Sequence, residues 1–196
     1  MKKTTVWVDF SILSYWHAGS GQGRSAVSDA LVQKDRNGLP FLPGRTVKGL
    51  LREGVRCGED VGAVPAGSTD RLFGKAAEEG DAAGSVPGEL CFYDAVLPEE
   101  ERRWLSSSEG ADFRSGLYDA MASTKIDDKG IAEDKTLRTI ELCVPLTLSA
   151  TISGPGGDWV DVLERACRLV RGLGSHRHRG LGRCRCTVRK EEKRHG

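Results

Sequence analysis

The 196-residue sequence predicts one α+β domain spanning residues 1–196. Segments rich in β-branched and aromatic residues predict strands, and segments with apolar residues three and four positions apart predict helices. Gly- and Pro-rich stretches separate these segments. In chain order they read strand, helix, strand, long insertion, strand, helix, Gly-rich loop, strand. This order approximates the βαββαβ pattern of a modified ferredoxin-like (split βαβ) fold.

The first strand and the first helix have the clearest patterns in the N-terminal part. Residues 4–16 form the strand, because Val6, Val8, Phe10 and Ile12 alternate. A Gly-rich loop, residues 17–25, follows. A Pro43-Gly44 pair then opens a helix over about 45–57. The apolar stripe of this helix is Val47, Leu50, Leu51 and Val55.

The second half supplies the remaining elements around a polar insertion at about 98–140. Within the insertion, a hairpin turning at Asp128-Lys129-Gly130 is one interpretation. Pro145 predicts an irregularity or a sheet edge in the third strand. The helix at 159–173 has the clearest periodicity, and Arg165, Arg168 and Arg171 lie away from its apolar stripe. The predicted strands are 91–97, 141–153 and 184–190, with a Gly-rich loop at 175–183.

Charge is distributed unevenly, although the formal net charge is only +1. Residues 1–58 hold nine Lys or Arg against four Asp or Glu, and residues 158–196 hold eleven against five. Residues 59–134 are acidic, with seven against eighteen. A ferredoxin-like fold brings its terminal strands together, so the two basic ends would form a surface that attracts a polyanion. A solvated charged surface is the alternative.

Several protein classes are disfavoured by composition. No apolar run approaches the ~20 residues of a membrane span, so no membrane partner is expected. The N-terminus lacks the apolar core of a signal peptide, so we expect a cytoplasmic location. The six cysteines form no C-x-x-C pair, and we expect buried free thiols rather than disulfides or a zinc site. The tryptophans Trp7, Trp16 and Trp159 are expected in the core.

Two segments have a composition that suits RNA. Free N–H groups at the start of the first helix, beside Arg45 and Lys48, suit a phosphate, and Arg52 lies on the same side. In the C-terminal loop, glycines let the backbone approach another chain and aim successive N–H groups outward. Arginines there supply charge and flat stacking surfaces. A plain surface helix and an ordinary basic turn are the alternatives. The loop candidates are His176, Arg177, His178, Arg179, Gly180, Gly182 and Arg183.

These segments resemble the RAMP superfamily, and within it the repeating backbone subunit of type III CRISPR effector complexes. The resemblance extends from residue 1 to about 190 and departs from the family pattern at Arg45-Thr46, where two serines are usual. Leu39-Pro40-Phe41-Leu42-Pro43-Gly44-Arg45-Thr46-Val47-Lys48-Gly49 is the most specific match. The other matches are His17–Gly21, Leu72–Gly74, Gly180–Arg183, and Lys125–Asp127 with its return at Arg138–Glu141.

The resemblance implies an RRM-like subunit that stacks head to tail along a guide crRNA, with a thumb-like insertion reaching over its neighbour. Its partners would be complementary target RNA, other effector subunits, and neighbouring copies or paralogues. Thr46 and Lys125 would join the RNA-binding residues. Family members cleave target RNA with an aspartate after the first strand, which Asp29 matches. Asp29 could hold Mg²⁺ or Mn²⁺, or orient a ribose 2′-OH for attack.

Three other functions remain open at this stage. The chain could be a non-catalytic RNA-binding subunit of the same complex, since Asp29 could equally be a solvated loop acid. It could be a stand-alone guide-processing endoribonuclease with His17 as general acid and base, although a lone histidine at a strand end is usually structural. It could also be an α+β protein with no nucleic-acid role.

Overall fold

A four-stranded antiparallel sheet organises the protein, seen in a computed structural model that describes residues 3–19, 30–77, 84–123 and 138–190. Its strands are β1 (Lys3–Ile12), β4 (Cys91–Val96), β7 (Thr147–Pro155) and β8 (Cys184–Lys190). They lie in the order β4-β7-β1-β8, so β1 lies inside the sheet and β4 and β8 lie at its edges. The chain alternates these strands with two helices, α1 (Gly44–Asp60) and α4 (Trp159–Cys167), in the order β1, α1, β4, β7, α4, β8.

Smaller elements connect these parts. A short helix α2 leads into a two-stranded sheet, β2 with β3. After β4 the chain forms α3, a 3₁₀ helix at Ala111–Leu117, and an antiparallel pair of strands, β5 and β6. The predicted turn at residues 128–130 lies outside the described residues. The bounds are α2 Ser68–Phe73, β2 Gly74–Lys75, β3 Val86–Pro87, α3 Glu99–Ser106, β5 Tyr118–Ser123 and β6 Arg138–Cys143.

One face of the sheet forms the core against α1 and α4. Alternate residues of β1 are buried on that face, as the sequence predicts: Val6, Val8, Phe10 and Ile12. The two helices approach closely at Gly54, where a Cβ atom would lie 2.9 Å from the Ala166 carbonyl oxygen. Any larger residue would therefore push α1 away from α4.

Four element boundaries differ from the predicted ones. β1 ends at Ile12 and not at residue 16, because the chain then turns and pairs elsewhere. The predicted strand 141–153 is two strands, β6 and β7, separated around Pro145. The helix α4 ends at Cys167 and not at residue 173, although Val170 and Leu173 remain buried. The helix α1 is longer than predicted, running to Asp60.

The cysteines and tryptophans follow the predictions in part. Cys143, Cys167, Cys184 and Cys186 are buried free thiols, whereas Cys57 and Cys91 are exposed. Trp16 and Trp159 are fully buried. Trp7 is not in the core: it lies on the opposite face of the sheet, half-buried, with the Arg189 guanidinium 5.6 Å from its ring centroid. In the described ranges, no helix combines the length and apolar character that crossing a bilayer requires.

Candidate nucleic-acid interface

The C-terminal Gly-rich loop presents its basic side chains on one short turn. Arg177–Arg179 forms a 3₁₀ helix between two residues in the left-handed conformation, His176 at φ 57° and Gly180 at φ 84°. Every side chain from His176 to Arg179 is exposed. The turn therefore displays consecutive arginine and histidine groups to solvent, as an interface for a polyanion requires.

Backbone hydrogen bonds anchor this loop to the segment that follows β1. The pairing of Ile12 with Cys184 places the end of β1 beside the start of β8. The residues that follow β1 therefore lie next to the loop that precedes β8. The Gly182 N–H donates to the Tyr15 carbonyl at 2.8 Å, and the Ser175 N–H donates to the His17 carbonyl at 2.9 Å. The Ser14 hydroxyl donates to the Gly180 carbonyl at 3.0 Å.

The anchored conformation of the loop requires a glycine at position 182. Its φ is 66°, and a Cβ atom there would lie 1.9 Å from the Leu173 carbonyl oxygen. Its N–H is bonded to Tyr15, and the Gly180 N–H is bonded to the Arg177 carbonyl. The loop glycines thus have occupied amide groups, contrary to the expectation that they aim free N–H groups outward. A ligand would therefore contact the side chains of the loop and not its glycine amides.

Three amides at the start of α1 are bonded to protein groups. The Gly44 N–H donates to the Asp94 carboxylate at 2.7 Å, and the N–H groups of Thr46 and Val47 donate to the Pro43 carbonyl. The Gly44 amide is therefore not free for a phosphate. Arg45 and Arg52 are exposed on the helix, whereas Thr46 and Lys48 are half-buried. Their contribution to RNA binding stays a prediction that depends on side chains.

The loop meets α1 at its middle and not at its entrance. Arg177 lies 3.4 Å from the Glu53 carboxylate, in the third turn of the helix. A cavity of about 360 Å³ separates the two elements, lined by Glu53, Cys57, Arg177, His178 and Arg183, among others. The loop therefore lies beside the middle of α1, about two and a half turns along the helix axis from Gly44. The start of α1 lies against β4, at the other edge of the sheet from β8.

His17 occupies a structural position. Its side chain is buried, with 4% of its surface exposed, and Nδ1 lies 2.7 Å from the Glu141 carbonyl oxygen. Its own carbonyl accepts the hydrogen bond from Ser175. A general acid or base must reach its substrate, so this burial disfavours the catalytic alternative.

Glu141 joins β6 to the segment at residues 30–34. Its carboxylate accepts hydrogen bonds from the Val32 N–H at 3.0 Å and from Lys34 Nζ at 2.7 Å. Its amide donates to the carbonyl of Ala30 at 3.0 Å. Two predicted site residues, Asp29 and Lys125, lie outside the described residues. Among the residues that the structure describes, no group of three or more His, Cys, Asp or Glu could hold a metal ion.

The sequence pattern contained no signal for Ser14 and Tyr15 as anchors of the loop, because their apolar and aromatic neighbours extended the predicted strand through them. It also gave no signal for the pairing of Glu53 with Arg177. Both contacts join residues more than a hundred positions apart in the chain.

Comparison with known proteins assigns the family. The RAMP superfamily model matches residues 9–185, and the chain belongs to this superfamily. Solved structures share the fold: a chain of the Type III-B Cmr-beta bound to cognate target RNA has a TM-score of 0.71 at 11% identity, covering 94% of this chain and 96% of that one. A chain of Type III-B Cmr-beta in the apo state has a TM-score of 0.64 at 12% identity, covering 97% and 98%. No curated protein sequence matches this chain.

Proposed function

We propose that this protein is a guide-RNA-binding backbone subunit of a type III CRISPR effector complex. The observation that carries the proposal is the turn Arg177–Arg179, whose basic side chains are exposed while hydrogen bonds hold the surrounding loop on the segment that follows β1. Membership of the RAMP superfamily supports it, and so does the likeness to chains of Cmr-beta. The partners would be crRNA, complementary target RNA, other effector subunits and neighbouring copies in a cytoplasmic head-to-tail filament.

The proposal includes a modified ferredoxin-like, RRM-type domain spanning 1–196. The alternation of β1, α1, β4, β7, α4 and β8 supports this assignment. The region at about 98–140 would be the thumb-like insertion, reaching toward the adjacent subunit. In this role α3 and the β5–β6 pair form its base, since Leu105 of α3 and Cys143 of β6 are buried in the core.

RNA would be held by side chains rather than by loop amides. Arg177, Arg179 and Arg183 would bind phosphate oxygens, because the planar guanidinium matches two oxygens at once. His176 and His178 would contact the same strand, while Gly180 and Gly182 fix the loop conformation. On α1, Arg45, Thr46, Lys48 and Arg52 would extend the contact, together with Lys125 of the insertion.

The first test is expression with the neighbouring genes, followed by analysis of co-purified RNA. We expect a defined small RNA with the wild-type protein and a strong loss with Arg177→Gln/Arg179→Gln. The matched control is Arg103→Gln/Arg165→Gln, which removes two exposed arginine charges elsewhere. Full retention of the RNA by the loop variant would contradict the proposed interface.

Cleavage of target RNA through Asp29 is the finer part of the proposal. Asp29→Ala should abolish cleavage within the assembled complex and leave assembly intact. The described residues supply no donor set for a metal, so dependence on Mg²⁺ or Mn²⁺ stays a prediction, tested by chelation and re-addition of each ion. If the complex with Asp29→Ala still cleaved target RNA, Asp29 would not be the catalytic residue. Either another residue would carry out the reaction, or this protein would be a non-catalytic RNA-binding subunit of the complex.

A further inference from the structure

A second groove lies between the end of α4 and the edge strand β8, outside the residues proposed above except for Arg183. Its volume is about 630 Å³, within the range of ligand-binding clefts. Four arginines line it, and Leu13 and Val170 contribute apolar surface. The arginines are Arg168, Arg171, Arg183 and Arg185, and we call this surface the arginine groove.

The described residues of the groove carry positive charge with no acid among them. No carboxylate belongs to this described lining, and within the described part of the chain none of the four arginines forms an ion pair. By contrast, Arg71, Arg177 and Arg189 each pair with a carboxylate. Burial raises the pKa of the Cys184 thiol in the wall to about 11, so this thiol stays neutral. Among residues 3–19, 30–77, 84–123 and 138–190, the groove therefore has no internal counterion.

The groove is continuous with the candidate interface. Arg171 and Arg183 line both the arginine groove and the cavity between the Gly-rich loop and α1. The Arg183 N–H is bonded to the Ser14 hydroxyl and the Cys184 N–H to the Arg171 carbonyl, so the shared wall has a fixed backbone. A strand that leaves the Arg177–Arg179 turn can pass Arg171 and Arg183 into the arginine groove.

We infer that the arginine groove binds the sugar-phosphate backbone of single-stranded RNA, extending the contact made by the loop. This inference rests on the proposed function. Four forked guanidinium groups suit consecutive phosphates, and the apolar floor suits a ribose or base face. An acidic protein partner would also find positive charge here, but continuity with the RNA-binding loop favours RNA.

The test compares variants of the full-length chain for binding of a labelled single-stranded oligouridylate at several salt concentrations. The groove variant is Arg168→Gln/Arg185→Gln, which leaves the loop intact. The charge-matched control is Arg103→Gln/Arg165→Gln, and thermal unfolding verifies that all variants are folded. We expect the groove variant to lose about tenfold or more in affinity, with a salt slope reduced by about 1.4 for two lost contacts.

Each result decides between the proposals. Equal affinities of the groove variant and its control would overturn the inference, and loss of binding by Arg177→Gln/Arg179→Gln in the same assay would still support the proposed function. If neither variant lost affinity, both would be wrong. A groove variant that changed only the oligomeric size, with RNA affinity unaltered, would assign the groove to a contact between copies of this chain and refute the RNA assignment.

Discussion

Substitution of Gly182 by alanine tests whether the Gly-rich loop depends on close backbone contact. Gly180 provides the matched control, since both glycines have positive φ, but a Cβ atom at Gly180 would meet nothing within 4 Å. Gly180→Ala should therefore cost only the left-handed backbone penalty of about 1–2 kcal/mol. At Gly182 the added Cβ would overlap the Leu173 carbonyl oxygen, so the backbone must also move.

The additional cost at Gly182 follows from the hydrogen bonds that such a movement breaks. The Gly182 N–H bond to Tyr15 and the Leu173 N–H bond to the Gly182 carbonyl measure 2.8 and 2.9 Å. At roughly 0.5–1.5 kcal/mol each, their loss brings the total to about 2–5 kcal/mol. In a chain of this size that corresponds to a lowering of Tm by about 4–20 °C, against about 2–8 °C for Gly180→Ala.

The assay is urea unfolding of both variants, supported by thermal scans. An unchanged m value would show that the shift in midpoint reports stability rather than a change in the unfolded state. We also expect Gly182→Ala to weaken RNA binding more than Gly180→Ala, because the arginine side chains lose their fixed positions. Equal destabilisation by the two substitutions would refute the argument that close contact at Gly182 holds the loop.

Three further predictions concern stability and accessibility. Glu141→Gln should destabilise the protein by about 1–3 kcal/mol, because its carboxylate accepts two hydrogen bonds; a change in the urea midpoint no larger than that of an exposed Glu→Gln control would contradict this. Partial burial raises the pKa of Asp9, but hydrogen bonds from Arg189 and Ser149 outweigh it and lower the pKa overall. The stability that Asp9 gains from this lowered pKa is fully present above the unfolded pKa of about 3.9 and is lost as the pH falls through the lower folded pKa. In urea titrations, the difference in free energy of unfolding between wild type and Arg189→Gln should therefore shrink below about pH 4. Thiol labelling of the native protein should modify Cys57 and Cys91 rapidly and the four buried cysteines only on unfolding; rapid labelling of more than two would contradict the burial.

The sequence alone predicts much of the secondary structure, because local periodicity determines which face of each element is apolar. Alternation in β1 and the three-and-four spacing in α1 both correspond to buried faces. Boundaries were less predictable. Val170 and Leu173 continue the apolar spacing of α4 and are buried, yet their backbone has left the helix. The spacing of apolar residues predicts which residues are buried, but a residue can be buried after the helix has ended.

Only the tertiary structure decided which loops meet. The basic composition of the C-terminal loop was visible in the sequence, but its anchor at Ser14–His17 depends on the antiparallel register of β1 with β8. The packing of the edge strand β8 against the end of α4 likewise brings Arg168 and Arg185 to one groove. Residue types determine the available charges and hydrogen-bonding groups. Strand register and helix packing, set by contacts between distant parts of the chain, determine which of them lie together.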